Sequence, residues 1–152
     1  MQIVKICLVS WLICSGMTWA QLSLENGAWS TTWDEAVAQA QLEQTPILLL
    51  FAGSDWCRPC MRWEQELFSQ SEFASWTSGK YVLYRADFPR KKKNQLPENQ
   101  QLVNAQLAKR YNAEGRFPWC LILSPEGDVK ASTAYLNGGL AAFKSWSERS
   151  MP

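Results

Sequence analysis

Two cysteines near the middle of the chain are the residues best suited to chemistry. Cys57 and Cys60 stand three positions apart in the stretch DWCRPC, which closely follows the apolar run ILLLFAG. On a helix this spacing brings two Cα atoms to roughly 5–6 Å, which is within disulfide range. The pair is therefore a structural staple, part of a metal site, or a couple that forms and breaks a disulfide.

The rest of the composition narrows these three interpretations. The chain has no histidine, which excludes Ser-His-Asp and Cys-His nucleophile systems and histidine-ligated metals. A staple between Cys57 and Cys60 closes so small a loop that it constrains the unfolded chain little. A zinc or iron–sulfur site normally takes four ligands, so Cys57, Cys60 and Cys120 would need a carboxylate or a second chain to complete it. A reacting couple fits best.

The surrounding pattern predicts different roles for the two thiols. Cys57 falls where an apolar strand ends and a helix begins, and the free N–H groups of a helix N-terminus favour a thiolate. Arg58 adds a positive charge beside it, so we expect Cys57 to be an exposed nucleophile with a pKa lowered into the roughly 3.5–7.5 range of such sites. Cys60, one turn inside the helix, is expected to be more buried and to resolve the mixed disulfide. Pro59 suits the first helical turn, where no N–H is needed.

The elements that must position this pair follow an α/β order. Helical spacing, continuous apolar runs and turn residues predict helix, strand, helix, helix, strand, helix, hairpin and helix. The segments are 34–43, 45–53, 58–69, 71–78, 81–88, 97–112, 117–135 and 138–150. Two strands joined through a helix should be parallel, and the hairpin adds antiparallel strands. A central mixed sheet with helices on both faces is the expected architecture.

Three of these segments allow finer predictions. Residue 32 or 34 is expected to cap the first helix, whose inward residues should be Ala36, Val37, Ala40 and Leu42. The first strand is continuously apolar, so both its faces should be buried. In the third segment the predicted inner face is formed by Cys60, Trp63, Leu67 and Phe68, and in the sixth by Val103, Leu107 and Tyr111.

The N-terminus has the layout of a secretory signal peptide. An early Lys5 precedes a short apolar run and small residues, which predicts a signal peptide over 1–20, an extension over 21–32 and one domain over 33–152. A retained membrane anchor is the alternative, although the apolar run is short for a span. Cys14 follows an isoleucine, which disfavours lipid attachment. We expect an exported protein, periplasmic or extracellular, in an oxidising compartment.

Charge gives no sign of a polyanionic partner. Without Lys5 the expected mature chain has 14 basic and 14 acidic residues. Nothing global therefore indicates nucleic acid or anionic lipid. The one basic run, RKKK at 90–93, lies between Pro89 and Pro97, and it is interpreted as a solvated loop.

The chain resembles the thioredoxin superfamily in two motifs. FAGSDWCRPC is similar to the active-site loop of that superfamily, and RFPWCLILSPEGDV is similar to the segment that carries its cis-proline. They lie about sixty residues apart in the expected order. Within the superfamily the chain looks most like exported thioredoxin-like proteins and the C-terminal domain of the thiol:disulfide interchange protein, which share the GSDWC style of loop.

The resemblance implies a thioredoxin fold with Cys57 and Cys60 as the redox couple. It also implies a cis Phe117–Pro118 bond packed against the cysteines, which would let the backbone of Phe117 pair with an extended substrate. Trp56 would form an apolar rim near the thiol. The substrate-binding residues are thus expected to be Trp56, Arg58, Phe117 and Pro118, while Trp119 is either rim or core. No cofactor and no resident metal are expected, because the electrons travel through thiols.

The sequence also departs from the thioredoxin pattern. The buried aspartate expected beneath the second cysteine is absent from Leu49, Leu50 and Phe51, and the accompanying lysine is absent near Leu83. Glu64 stands one turn beyond Cys60 and is the candidate proton acceptor, although a solvated surface glutamate is the preferred interpretation. The Arg-Pro dipeptide should stabilise the thiolate and make the couple more oxidising.

Three functions follow in order of preference. The first is an exported thiol–disulfide oxidoreductase that acts on protein disulfides and is recycled by an external redox partner. The second is a thioredoxin-like metal carrier that uses Cys57, Cys60 and Cys120, although a buried hydrophobic role is preferred for Cys120. The third is a non-catalytic interaction module, suggested by the missing aspartate and the nine tryptophans.

Overall fold

The computed structural model describes residues 28–150. The predicted signal peptide over 1–20 and most of the predicted extension lie outside the described residues. The α-helices are α1 (Trp33–Glu43), α2 (Arg58–Trp63), α3 (Ser71–Thr77), α4 (Glu98–Tyr111) and α5 (Gly139–Ser150). The strands are β1 (Ile47–Ala52), β2 (Val82–Asp87), β3 (Trp119–Leu123) and β4 (Val129–Thr133). A π-helical turn (Glu64–Phe68) follows α2, and a 3₁₀ turn (Lys92–Asn94) lies between β2 and α4.

The four strands form one mixed sheet in the order β2-β1-β3-β4. Strand β1 is parallel to β2, with Leu50 opposite Arg85, and antiparallel to β3, with Leu50 opposite Cys120. Strands β3 and β4 form the predicted hairpin. The predicted strand directions are therefore confirmed.

Helices cover both faces of the sheet, as a strand buried on both sides requires. Every residue of β1 is buried. On one face, α2, α3 and α5 enclose an apolar cluster that contains Cys57, Cys60 and Cys120. On the other face, α1 and α4 enclose a second cluster around Leu49 and Phe51. The Cys57–Cys60 pair thus belongs to the first of two separate cores.

Helix α1 begins at a capping box. The Thr32 hydroxyl accepts a hydrogen bond from the Glu35 N–H, and the Glu35 carboxylate accepts one from the Thr32 N–H. Ala36 and Ala40 are buried as predicted, but Leu42 is 86% exposed. That prediction was wrong because Leu42, two positions beyond Ala40, lies on the other side of the helix.

The segment after Cys57 differs from the single α-helix predicted over 58–69. The α-helix ends at Trp63, and a π-helical turn carries the chain to Phe68. The N–H of Ser69 donates to the carbonyl of Glu64 at 2.9 Å, which is the five-residue spacing of a π turn. The wider turn places Phe68 on the inner face with Trp63, whose ring centroid lies 5.0 Å away.

Aromatic packing explains several of the tryptophans. Trp29 forms a bridge with Leu83, and its ring packs on Phe68 and Phe73. Thus the described end of the predicted extension is part of the fold. Further aromatic rings complete this layer around Phe143, namely Trp63, Trp76 and Trp146. No helix within residues 28–150 has the length and apolar character needed to cross a membrane.

Candidate redox site

The loop between β1 and α2 is a tight turn that depends on a glycine. The Gly53 carbonyl accepts hydrogen bonds from the N–H groups of Trp56 at 3.3 Å and Cys57 at 2.9 Å. The Trp56 indole lies so close that a Cβ on Gly53 would be 2.3 Å from its Cε2. Glycine is therefore required here by the close approach of the indole rather than by backbone strain.

Hydrogen bonds to two aspartates, Asp55 and Asp87, hold this loop against the end of β2 and the segment that follows it. The Asp87 carboxylate accepts hydrogen bonds from the Ser54 N–H at 2.9 Å and the Ser54 hydroxyl at 2.6 Å. Asp55 accepts from the backbone N–H groups of Arg90 and Lys91, each at 2.9 Å. The hydrogen bond from Arg90 is the main cause that lowers the pKa of Asp55, and those from Lys91 and Asn94 add to it. These contacts set where Cys57 enters the helix.

Cys57 is the N-cap residue of α2, as the sequence predicted. Its Sγ accepts a hydrogen bond from the Cys60 N–H at 3.2 Å, and Pro59 lies in the first turn. The two cysteines form a disulfide with a Cα–Cα distance of 5.2 Å. The Cys60 N–H at the N-terminus of the helix thus points toward the Cys57 sulfur, and this arrangement stabilises a thiolate.

The exposure of the two cysteines differs from the expectation. Cys57 is 4% exposed and Cys60 is 6% exposed, so Cys57 is not the more accessible residue. The physical reason is that Trp56 and Phe117 pack against the apolar cluster containing both cysteines. A partner therefore meets only a small part of the disulfide, at a surface whose neighbours are Arg58 and Pro59, both exposed.

The predicted substrate-binding residues surround this small opening. The Phe117–Pro118 bond is cis, and Pro118 lines the same cavity as Cys60. Phe117 directly precedes β3, and its ring centroid is 5.3 Å from that of Trp56. Trp56, Phe117 and Pro118 are thus brought together beside the disulfide, with Arg58 at the first position of α2.

Trp119 lies on the other face of the sheet. It packs against the second apolar cluster, and the Arg116 guanidinium lies 4.6 Å from its ring centroid. Because successive residues of a strand point to opposite faces, Cys120 faces the disulfide side and Trp119 does not. Of the two roles left open for Trp119, packing is the one that the structure supports.

An ion pair occupies the region where the sequence lacks a buried aspartate. Arg85 of β2 contacts the Glu64 carboxylate at 2.5 Å, and the Ser69 hydroxyl donates to the same carboxylate at 2.7 Å. The Arg85 guanidinium also lies 4.5 Å from the Trp29 ring centroid. Glu64 is therefore held by two contacts, while its side chain stays 35% exposed, in keeping with the preferred interpretation of a surface glutamate.

Glu64, Arg85 and Cys60 line one cavity of about 210 Å³, together with Leu50 and Pro118. The backbone N–H of Glu64 donates to the carbonyl of Cys60, so its side chain starts one helical turn from the cysteine. Sequence reasoning missed Arg85. The alternation in VLYRAD places it on the same side as Leu83, and the parallel pairing with β1 then sets it opposite Leu50.

Cys120 is fully buried, and that burial raises the pKa of its thiol. A protonated thiol is a poor nucleophile and a poor metal ligand. Within residues 28–150, no group of three or more Cys, Asp or Glu side chains is arranged to hold a metal ion. The structure thus agrees with a packing role for Cys120.

Comparisons with known proteins identify relatives that share this architecture. A family model described as thioredoxin-like matches residues 28–125. The chain is 32% identical over 124 residues to the disulfide bond reductase DsbH of Chlamydia pneumoniae, which covers 82% of this chain and 72% of that protein. A solved structure described as DsbH oxidoreductase matches with a TM-score of 0.75 and 30% identity, covering 82% of this chain and 83% of that one.

A second relative is longer than this chain. The thioredoxin-related protein DsbJ of Chlamydia pneumoniae is 30% identical over 98 residues. That match covers 64% of this chain but 27% of DsbJ. It therefore relates one region of DsbJ to the fold described above.

Proposed function

The chain belongs to the thioredoxin-like family, and on that premise we propose that it is an exported thiol–disulfide oxidoreductase that reduces disulfide bonds in other proteins. The observation that carries this proposal is the Cys57–Cys60 disulfide at the N-terminus of α2. Homology to the disulfide bond reductase DsbH supports it and favours reduction as the direction. The signal-like pattern of residues 1–20 supports export to the periplasm.

The reaction begins from the reduced pair. The Cys57 thiolate attacks one sulfur of a substrate disulfide, a Cys57–substrate bond forms, and the first substrate thiolate leaves. Cys60 then loses its proton and attacks the Cys57 sulfur. The Cys57–Cys60 disulfide forms, and the second substrate thiolate leaves. Two electrons have passed to the substrate, and an external dithiol partner must return two electrons before the next cycle.

The residues around the pair have roles that follow from their positions. Arg58 and the N–H groups of α2 stabilise the Cys57 anion. Trp56 and Phe117 offer an apolar surface beside it, and the backbone of Phe117 can pair with an extended substrate segment. We expect Glu64, held by Arg85, to accept the proton of Cys60, because Glu64 and Cys60 line the same cavity.

The two cysteines should differ when each is replaced by serine. Cys57→Ser should abolish insulin reduction, because no nucleophile remains. Cys60→Ser should accumulate a mixed disulfide on Cys57, because nothing resolves it. Insulin turbidity and mass spectrometry of trapped complexes measure the two outcomes. Cys120→Ala is the matched control and should retain activity. Normal activity in both the Cys57 and the Cys60 variants would refute the proposal.

A further inference from the structure

The basic run at residues 90–93 is attached to the loop that carries Cys57. Asp55, two positions before Cys57, accepts hydrogen bonds from Arg90 N–H and Lys91 N–H at 2.9 Å and from Asn94 Nδ2 at 3.0 Å. The Asn94 side chain belongs to the 3₁₀ turn that contains Lys92. The run is thus the exposed loop that the sequence predicted, and it is held near both of its ends by the loop that carries Cys57.

The first residue of this run also contacts the predicted substrate-binding surface. The Arg90 guanidinium lies 3.9 Å from the ring centroid of Trp56, a distance at which cation–π attraction applies. The Trp56 indole N–H donates to the Phe88 carbonyl at 2.7 Å, and Phe88 packs on Phe117 with ring centroids 5.5 Å apart. The basic run and the rim of the redox site therefore form one continuous surface.

The positive charges of the run remain available to a partner. Arg90 and Lys91–Lys93 are exposed. Among residues 28–150 the side-chain ion pairs use Arg62, Arg85 and Arg116, and none uses this run. Asp55 is the nearby carboxylate, and it is already engaged by backbone N–H groups and faces the charge of Lys91. Four consecutive cations therefore stand beside the active-site loop of a chain whose formal net charge is +1.

We propose that Lys91, Lys92 and Lys93, together with Arg90, form a docking surface for an acidic segment that lies close to the disulfide of a substrate protein. This inference rests on the disulfide exchange proposed above. An acidic protein segment is the occupant that the geometry favours over a nucleic acid or a lipid surface, because the run is attached to the loop that carries Cys57, and neither of those polyanions brings a disulfide that Cys57 could exchange. The docking surface extends the proposed function, because it predicts a preference for substrate proteins that carry acidic residues near their disulfide.

Exposed charges of this kind mainly change the rate at which two proteins associate. Complementary charge raises the rate of encounter and fixes the register of the partner, and salt screens the effect within about 10 Å at ordinary ionic strength. The expected signature is therefore a preference in kcat/KM for acidic substrates that disappears at high salt. The rate of the chemical step should not depend on the flanking charge.

The test compares three disulfide peptides that differ only in their flanking residues, which are Glu, Gln or Lys. The protein should reduce the Glu peptide with a kcat/KM about tenfold above the Gln peptide at low salt, and the Lys peptide should be slowest. The triple variant Lys91→Gln, Lys92→Gln, Lys93→Gln should bring the Glu/Gln ratio close to one. The ratio within each variant is the measured quantity, so a general change in activity cancels.

Two further variants distinguish the effect of local docking on the peptide ratio from the effect of the total charge of the protein. The matched control Lys80→Gln, Lys109→Gln, Lys130→Gln removes the same charge from exposed positions outside the run and should keep the wild-type ratio. Asp55→Asn keeps all four cations and makes the net charge more positive, but it weakens the attachment of the run to the loop. The ratio should fall in Asp55→Asn, whereas a purely global charge effect would raise it.

Several outcomes would overturn the inference. Equal ratios in the wild type and the Lys91–Lys93 variant would do so, as would an equal loss of ratio in the control variant. Binding of an oligonucleotide or anionic phosphatidylglycerol vesicles that depends on the same lysines, without a preference among the peptides, would assign the surface to another polyanion. If the protein reduces none of the peptides, the proposed function itself fails. If it reduces all three equally, the docking surface alone is wrong.

Discussion

The Cys57 sulfur receives a hydrogen bond from the Cys60 N–H even in the disulfide form. Once the pair is reduced, the same N–H faces a thiolate, and a hydrogen bond to a charged acceptor is roughly twice as strong as a neutral one. The cap position of Cys57 therefore stabilises the reduced state. Cys60, inside the helix, has no such advantage, and its proton must go to another group.

We propose Glu64 as the group that takes that proton, because it lines the same cavity as Cys60. In Glu64→Gln the step in which Cys60 resolves the mixed disulfide should slow by about tenfold or more, because a positioned base is lost. An aromatic disulfide that releases a coloured thiol at each step separates the attack by Cys57 from the resolution by Cys60. The second release should slow, and the first should not.

Glu66→Gln is the matched control for this variant. Glu66 lies two positions further along the same turn, contacts Arg62 and Tyr135, and is not one of the residues lining the cavity. Its replacement removes the same charge and should leave both releases unchanged. An unaltered second release in Glu64→Gln at every pH would remove Glu64 from the mechanism.

Cys120 should be chemically silent in the folded protein. Burial raises its pKa, so its thiol stays protonated at neutral pH, and no surface of it is exposed. After reduction, iodoacetamide should label Cys57 in the native protein and should label Cys120 only in denaturant. Peptide mass spectrometry distinguishes the sites. Labelling of native Cys120 at the rate of Cys57 would contradict the packing role.

At the scale of elements, the β1–α2 loop depends on the fit between Gly53 and the Trp56 indole. Gly53→Ala places a methyl group 2.3 Å from Trp56 Cε2, so the indole must move and lose its hydrogen bond to Phe88. We expect a stability loss of about 1–3 kcal/mol, as for overpacking in a core, together with reduced insulin reduction. Urea unfolding measures the stability.

A double variant tests this cause. If the clash with the indole is the reason for the loss, Gly53→Ala should cost little in a Trp56→Ala background, because the methyl group then has space. The same loss in both backgrounds would place the cause in the backbone of the loop. The comparison does not depend on how much Trp56→Ala itself reduces activity.

The π turn after α2 is a second feature of the element scale. It adds one residue to the helical turn, and as a result Leu67 and Phe68 are both buried. It also leaves the Glu64 carbonyl bonded to the Ser69 N–H, while the Ser69 hydroxyl holds the Glu64 carboxylate. The irregular turn therefore both fills the core and positions the Glu64 carboxylate.

At the scale of the whole molecule, acidic residues with lowered pKa values link the loops to the fold. The pKa of Asp55 lies below its ordinary value of 3.8 because of the hydrogen bonds in the 90–94 segment. The pKa of Glu66 lies below its ordinary value of 4.5 because of the Tyr135 hydroxyl and then Arg62. Because the pKa of each carboxyl is lower in the folded protein than its ordinary value, each carboxylate stabilises the fold at a pH above that ordinary value. This stabilisation is lost as the pH falls through the lowered pKa.

Stability toward urea should therefore decrease as the pH falls below about 4, through protonation of these carboxyls. Asp55→Asn and Glu66→Gln should each be less stable than the wild type at neutral pH and should show a shallower decrease in acid. Urea midpoints measured across this range test the prediction. Glu126→Gln, an exposed change in the β3–β4 turn, should follow the wild-type curve. Identical curves of urea midpoint against pH for all the variants would show that these contacts do not contribute to the pH dependence of stability.

Much of the fold was predictable from local patterns. The order of helices and strands, the double burial of β1 and the parallel pairing of β1 with β2 all follow from apolar periodicity and from the rule for crossover connections. The thioredoxin fold inferred from two motifs is confirmed by the family match and the DsbH structure. The errors at Leu42 and in the π turn arose at helix faces, where local spacing alone does not decide which side meets the core.

The sequence by itself determined the reacting pair, because helical geometry places two cysteines three residues apart within disulfide reach. Only the tertiary structure decided what surrounds that pair. Glu64 contacts Arg85, which is 21 positions away, and Asp55 contacts the 90–94 segment, which is 35 to 39 positions away. The near-complete burial of Cys57 likewise depends on side chains from separate segments. Contacts of this kind form only when the sheet assembles, so the local spacing of residues in the sequence does not predict them.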